Sequence, residues 1–281
     1  MGDFFDRTFA LNLGGKLISS QIDGERSGSP LRVTFEIERD LSREANAARV
    51  SVYNLSESSR AKIADRSIRT TLEAGYVDRI STIFVGNLEY GSTSRDGTDW
   101  VTSFESTDGG EDMRAARVNE SFGPGIPVGD VLKKAAEAMG VNIGNVINEV
   151  KKGNLRGAIS EFGNGVVLSG SAPAQFDKLA KSLGYEWSVQ DGQIQLLEQG
   201  GVFDDQESLN LTPSTGLIGS PQSGEDGVVE VRALLAPSLL PGRKVQVQSR
   251  EVDGFFRIEK TTFAGDTRGQ DWYADLEVKP L

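Results

Sequence analysis

The sequence predicts a mainly β protein in which two β-rich segments flank a small α+β insertion. Three observations predict it. Apolar and polar residues alternate through both ends of the chain, helical periodicity is confined to the middle, and glycine is abundant. The 281 residues include 33 Gly and 13 Phe but only 3 Met, a composition of sheets and turns rather than packed helices. The expected segments are residues 1–120, 121–198 and 199–281, and the length suffices for separate cores.

In the first segment, Leu31–Glu38 (LRVTFEIE) places apolar residues on alternate positions, as a half-buried strand requires. A second strand is predicted at Arg49–Tyr53. Ser56 is the expected N-cap of a short helix running through Arg60 to Ala64. Strands follow at Thr70–Tyr76 and Ser81–Tyr90, and Asp96-Gly97 turns into another at Trp100–Ser106. Regularly spaced strands with one short helix predict a barrel or sandwich.

The middle segment opens with the loop-like stretch Ser121–Pro127. Val128, Val131, Leu132, Ala135 and Met139 then share one helical face, with Pro127 suited to the start and Gly140 to the stop. A second helix repeats the design from Pro173 to Gly184, with Phe176, Leu179, Ala180 and Leu183 as its stripe. Tyr185, Trp187 and Val189 alternate next, Asp191-Gly192 turns, and Ile194 and Leu196 alternate again. After Gln199-Gly200-Gly201 the pattern returns to β. Strands are predicted at Gly227–Leu235, Lys244–Ser249, Phe255–Phe263 and Trp272–Val278. Gly97-Thr98-Asp99-Trp100 and Gly269-Gln270-Asp271-Trp272 each precede an alternating strand late in a β segment. That echo has two readings, a duplicated unit or a common turn chemistry.

Two absences restrict the chemistry. The chain has no Cys and no His, which excludes disulfides, thiolate metal sites, Cys nucleophiles and a Ser-His-Asp triad. Carboxylate, Lys or Tyr chemistry remains open. The net charge of −11 opposes general nucleic-acid binding, which depends on phosphate attraction. It serves solubility, or a surface that repels a polyanion. No apolar run approaches the roughly 20 residues of a membrane span. Asp3 and Asp6 oppose a secretory signal. No membrane anchor is therefore expected, and folding in a cytoplasm is.

Several motifs offer chemistry and lack a part of it. Gly123–Gly129 (GPGIPVG) precedes a helix like a phosphate loop, but it has no Gly-Lys-Ser/Thr ending and its two prolines remove donors. Gly163-Asn164-Gly165 leads into a strand-like Val166–Leu168, against a dinucleotide fingerprint. The acidic groups Glu111-Asp112, Asp204-Asp205 with Glu207, and Glu225-Asp226 read as solvated loops. A pair of them could instead serve a peptidoglycan hydrolase. Tyr185 and Trp187 could form the platform of a monomeric carbohydrate-binding module, or pack against the Phe176–Leu183 helix. No catalytic, cofactor-binding or metal residue is nominated. Asp99, Trp100, Asp271 and Trp272 are nominated as structural signature positions at turns.

Spaced motifs run along nearly the whole chain, from Leu31–Asp40 and Ala48–Ser56 to Ala233–Arg243, Gly254–Ile258 and Trp272-Tyr273, and together they resemble phage tail baseplate hub proteins. Leu31–Asp40, Ala48–Ser56 (ARVSVYNLS) and Ile83–Leu88 (IFVGNL) resemble the family's first barrel. The closing half is similar in order: Thr215–Pro221, Ala233–Arg243, Gly254–Ile258, Gly265-Asp266-Thr267 and Trp272-Tyr273. The resemblance implies two tail-tube-like β-barrels, at 1–120 and 199–281, joined by the insertion at 121–198. It implies a homotrimeric ring that joins a sixfold tail tube to a threefold spike or tip. The implied partners are the tail tube protein, the spike and other baseplate proteins, with DNA only in passage. It also implies residence in the virion tail baseplate, assembly in the host cytoplasm, no cofactor and no enzymatic role.

Overall fold

The computed structural model describes residues 6–19, 21–22, 25–26, 31–63, 68–77, 79–146, 161–203, 208–224 and 227–281. It is mainly β with an α+β insertion. The first labelled elements are β1 (Arg7–Leu13), β2 (Lys16–Ser19), β3 (Val33–Asp40), β4 (Ala47–Tyr53), α1 (Glu57–Lys62), β5 (Arg69–Tyr76), β6 (Ser81–Asp96) and β7 (Asp99–Thr107). The middle carries α2 (Gly110–Ala115), β8 (Arg117–Phe122), α3 (Val128–Ala138), β9 (Val166–Ser171), α4 (Ala172–Ser182), β10 (Tyr185–Gln190) and β11 (Gln193–Glu198). The last strands are β12 (Leu209–Leu211), β13 (Leu217–Ser223), β14 (Val229–Leu234), β15 (Lys244–Gln248), β16 (Asp253–Asp266) and β17 (Trp272–Pro280).

Two compact units result, Met1–Asp40 with Asn46–Asp108 and Val202–Leu281, and Leu41–Ala45 with Gly109–Gly201. In the first unit both β segments contribute to one 13-stranded sheet. Its main path runs β13-β14-β17-β16-β3-β4-β7-β6-β5-β1-β2, with β15 added to β16 and β12 to β15. The joint between the segments is antiparallel, from Lys260 opposite Asp40 to Asp266 opposite Thr34. Each segment repeats one strand order, β3-β4-β7-β6-β5 in the first and β13-β14-β17-β16-β15 in the second. The fourth strand of each is the long one, and each shifts register against its hairpin partner at a glutamate. The shifts fall between Leu88 and Tyr90 and between Ile258 and Lys260, so Glu89 and Glu259 occupy matching β-bulges.

A single apolar cluster lies beneath this sheet, with Phe9, Leu11, Phe35, Ile37, Phe84, Phe263, Trp272 and Leu276 among its buried residues. The predicted alternation of Leu31–Glu38 accounts for its share, since Val33, Phe35 and Ile37 all turn inward. Gly265 stands opposite Phe35, and a Cβ there would collide with the phenyl ring. The site therefore requires glycine for close approach rather than for its dihedrals.

In the α+β unit, α3 and α4 supply Val131, Leu132, Phe176 and Ala180 to a separate core, which the β10–β11 hairpin completes with Trp187, Val189 and Ile194. Pro173 stands at the start of α4 and Gly184 follows it at φ +79°, the arrangement the sequence predicts. Five of the strands lie outside the predicted set, β1, β2, β8, β12 and β13. β8 pairs antiparallel with β9 from Arg117–Ser171 to Phe122–Val166. Ile126–Pro127 pairs with Glu161–Phe162, so the stretch expected as a loop contains sheet at both ends.

Candidate assembly surface

Alternation gives the sheet one apolar and one polar face. Glu36 and Glu38 on β3, Arg49 and Ser51 on β4, Ser103 and Glu105 on β7, Glu230 and Arg232 on β14, and Asp275 and Glu277 on β17 turn away from the core. Cross-strand pairing sets charges against one another, with Arg49 opposite Glu36 and Glu105 and Arg232 opposite Asp275. Arg49 lies 3.1 Å from Glu36, 2.8 Å from Glu38 and 3.4 Å from Glu105. Arg232 forks onto Asp275 with contacts of 2.6 and 2.8 Å. The hydrogen bond from Arg49, with a further one from Lys260, holds the Glu38 carboxyl below the usual carboxylate range. The same contact with Glu38 raises the Arg49 guanidinium. Carboxylates outnumber these cations, so the face is acidic while its strands remain locally paired.

The four signature residues sit at the entries to β7 and β17, in different surroundings. Asp99 accepts a hydrogen bond from the Asn54 amide at 3.0 Å, and the Trp100 backbone N–H donates to the Asn54 side-chain oxygen at 3.0 Å. The Trp100 ring is 40% exposed, between the guanidinium groups of Arg60 and Arg95 at 4.5 and 5.4 Å. Asp271 is exposed, and its carbonyl accepts from the Asp266 N–H at 2.8 Å. Trp272 is 2% exposed. Its ring meets Phe35 edge-on at 5.5 Å, its Nε1–H donates to the Gly75 carbonyl at 3.2 Å, and Arg7 covers it at 5.7 Å. At the same corner Arg32 binds both oxygens of Asp266, at 3.1 and 2.6 Å. Burial pushes that carboxyl up, but Arg32 and the backbone donors of Arg268 and Gly269 outweigh it, and the net shift is downward.

The sequence matches the baseplate hub gp41 family over residues 25–278, nearly the whole chain. The chain belongs to the baseplate hub gp41 family. It is thus a structural component of the phage tail class, as the spaced motifs of the sequence imply. Among solved structures, this hub is similar to the tail protein from Neisseria meningitidis MC58, with TM-score 0.65 and 11% identity over 98% of this chain and 97% of that one. It is equally similar to the 43 kDa tail protein of prophage MuSo2 from Shewanella oneidensis, with TM-score 0.67 and 11% identity over 98% and 97%. The E. coli c3393 protein, a type VI secretion component described as similar to the T4 tail proteins gp27 and gp5, aligns at TM-score 0.57 and 12% identity over 96% of this chain and 76% of that one. At such identities the likeness is one of fold. No curated protein sequence matches.

In this hub the other motifs find structural surroundings. Trp187 and Tyr185 are 4% and 3% exposed, and the Trp187 ring meets Phe176 at 5.0 Å. A buried ring offers no stacking face to a sugar, so of the two readings of this hairpin the packing against the Phe176 helix holds and the carbohydrate platform does not. Pro127, within the phosphate-loop-like stretch, occupies the N-cap position of α3 without a side-chain hydrogen bond. Asp204-Asp205 with Glu207 and Glu225-Asp226 lie outside the described residues, as do the side chains of Glu111-Asp112. Among the described residues no three His, Cys, Asp or Glu side chains gather as a metal site would require. Among them no helix is long and apolar enough to cross a membrane.

Proposed function

We propose that three copies of this hub close into a ring that joins the sixfold tail tube to the threefold tip, with the acidic sheet face lining the DNA channel. The observation that carries this reading is the strand order repeated in the two β segments. Each segment, 1–120 and 199–281, supplies one tube-like barrel, and 121–198 forms the insertion between them. Two equivalent units per chain convert threefold into near-sixfold symmetry, which matches a tube on one side and a spike on the other. The tail tube protein, the tip and neighbouring baseplate proteins are the partners, and DNA only passes. An acidic wall suits that passage, because basic side chains would hold phosphates by counterion release.

Single-particle imaging of the purified chain, alone and with the tail tube protein, tests the ring. Threefold particles with six lobes around an open channel are expected. Particles without threefold symmetry in both preparations overturn the reading. The channel is tested separately by Lys substitutions at Glu36, Glu105, Glu230 and Glu277. Genome ejection should slow while the particle count stays constant, and unchanged ejection removes the acidic face from the channel.

A further inference from the structure

Trp272 joins two strands that the sheet keeps apart. Along the path, β3 and β5 are separated by β4, β7 and β6. The Trp272 ring nevertheless meets Phe35 of β3 edge-on at 5.5 Å, and its Nε1–H donates to the Gly75 carbonyl of β5 at 3.2 Å. One indole reaches both because the sheet of the first β segment curls until its two sides approach each other. The side chain between those sides is not supplied by that segment. It comes from the start of β17, 197 positions beyond Gly75.

The corner from Asp266 to Trp272, between β16 and β17, is bound to the first segment in the same way. Val33 exchanges two hydrogen bonds with Thr267: its N–H donates to the Thr267 hydroxyl at 2.9 Å, and its carbonyl accepts from the Thr267 N–H at 3.0 Å. Arg32 grips the Asp266 carboxylate beside them. Arg7, the first residue of β1, donates to the carbonyls of Gly269 and Gln270, each at 2.9 Å, and lies over the Trp272 ring. Within the corner, the Arg268 N–H donates to the Asp266 carboxylate at 2.9 Å. A Cβ at Gly269 would collide with that carboxylate, so only glycine lets the chain turn this tightly. The first segment thus holds one short turn through side chains and turn backbone. The ring that the turn carries lies in the same core as Phe9, Leu11, Leu72 and Phe84.

We propose that this corner is a latch: the first β segment closes only when the β16–β17 hairpin docks on it. The first segment carries the strands of its sheet but lacks the ring that fills the gap between β3 and β5. Without that ring, Phe35 and the backbone around Gly75 face an unfilled space in a core that tolerates few voids. Docking is also cooperative. Trp272 is covered only if Phe35, Gly75 and Arg7 are in place together, and the closing of β3, β5 and β1 sets those places. The segment that is made first is therefore finished only with a hairpin made well after it. The latch is a property of the single chain and stands apart from the ring reading above.

Pulse-labelling hydrogen exchange during refolding of the full chain from urea tests the latch directly. Amides of β1, β3 and β5 should become protected in the same kinetic phase as those of the corner. Protection of those strands in an earlier phase overturns the latch. A second measurement uses the folded protein. Trp272→Phe keeps a ring over Phe35 and removes the donor to Gly75, and Arg7→Ala removes the grip on Gly269 and Gln270. Together they should speed native-state exchange in β1, β3, β5 and the corner by about tenfold. Exchange in β15, at the far end of β16, and in α3 and α4, which have their own core, should stay unchanged. Acceleration confined to the corner overturns the latch, because the first segment then stays closed without it. Equal acceleration in β15, α3 and α4 also overturns it, since general destabilisation needs no latch.

Discussion

The hairpins β6–β7 and β16–β17 follow one plan and meet different surroundings. Both have a long first strand, a glutamate bulge and a tryptophan opening the second strand. The distal half of β16 lies between β17 and β3 and over the core, whereas the distal half of β6 has only β7 beside it among the described residues, with β7 itself paired to β4. The difference teaches that a hairpin's own pattern prepares a face for burial, but the strand beside it does the burying. It also shows that a repeated strand order can form a joint at one of its copies and leave the matching edge unpaired among the described residues.

The largest effect expected from breaking this comparison is at the tryptophans. Trp272→Ala should destabilise the isolated chain by about 3–5 kcal/mol, because it removes a large buried ring. Trp100→Ala should cost under about 1 kcal/mol in the same denaturant titration. Equal losses would mean that the two hairpins are equivalent in the free chain. Next in size, Gly265→Leu forces a side chain into the Phe35 ring and should cost about 1–3 kcal/mol. Arg95→Leu, the matching change on the open hairpin, should stay within about 0.5 kcal/mol, and comparison of the two thermal midpoints checks the pair.

A smaller effect belongs to pH. The folded Asp266 carboxyl titrates below its ordinary value, so its pairing with Arg32 contributes fully above the unfolded carboxylate range and is lost as pH falls through the folded value. Asp266→Asn should remove that part of the acid limb, on the order of 1 kcal/mol because Arg32 is partly exposed. An unchanged acid limb would show that the pair adds nothing at the joint. The smallest effect should come from Arg49→Ala. It loses three carboxylate contacts, yet the Arg49 side chain is itself exposed, and stability should change by less than about 1 kcal/mol. A larger loss would mark the polar face as structural in its own right.

Much of the fold is legible where one strand or helix carries its own period. The β3, β4 and β7 strands and the stripes of α3 and α4 are all readable from local periodicity, Gly140 and Gly184 mark the helix ends at positive φ, and Gly192 marks the turn between β10 and β11. β1 shows the same alternation in Phe9, Leu11 and Leu13, but only seven residues long and beside Gly14-Gly15 it is a weak signal. β8 shows less, because among its six residues Val118 is the only one fully buried. The echo at Trp100 and Trp272 is visible in the sequence as four residues. Its extent, five strands in the same order with bulges at Glu89 and Glu259, is not.

By itself the sequence determined the class of the protein, the faces of its strands and the chemistry closed to it without His or Cys. Those properties are local or compositional, since period and residue type act within a few positions. Tertiary structure alone decided that the two β segments share one sheet, that Trp272 is covered and Trp100 is not, and that β3 lies beside the distal half of β16 while nothing among the described residues lies beside that of β6. The physical reason lies in the ladder itself. Alternating side chains dictate which face of a strand is buried, whereas the backbone groups along its edges are nearly the same for every sequence. Which edge meets which is therefore settled only when Phe35, Phe263 and Trp272, far apart along the chain, pack into one core.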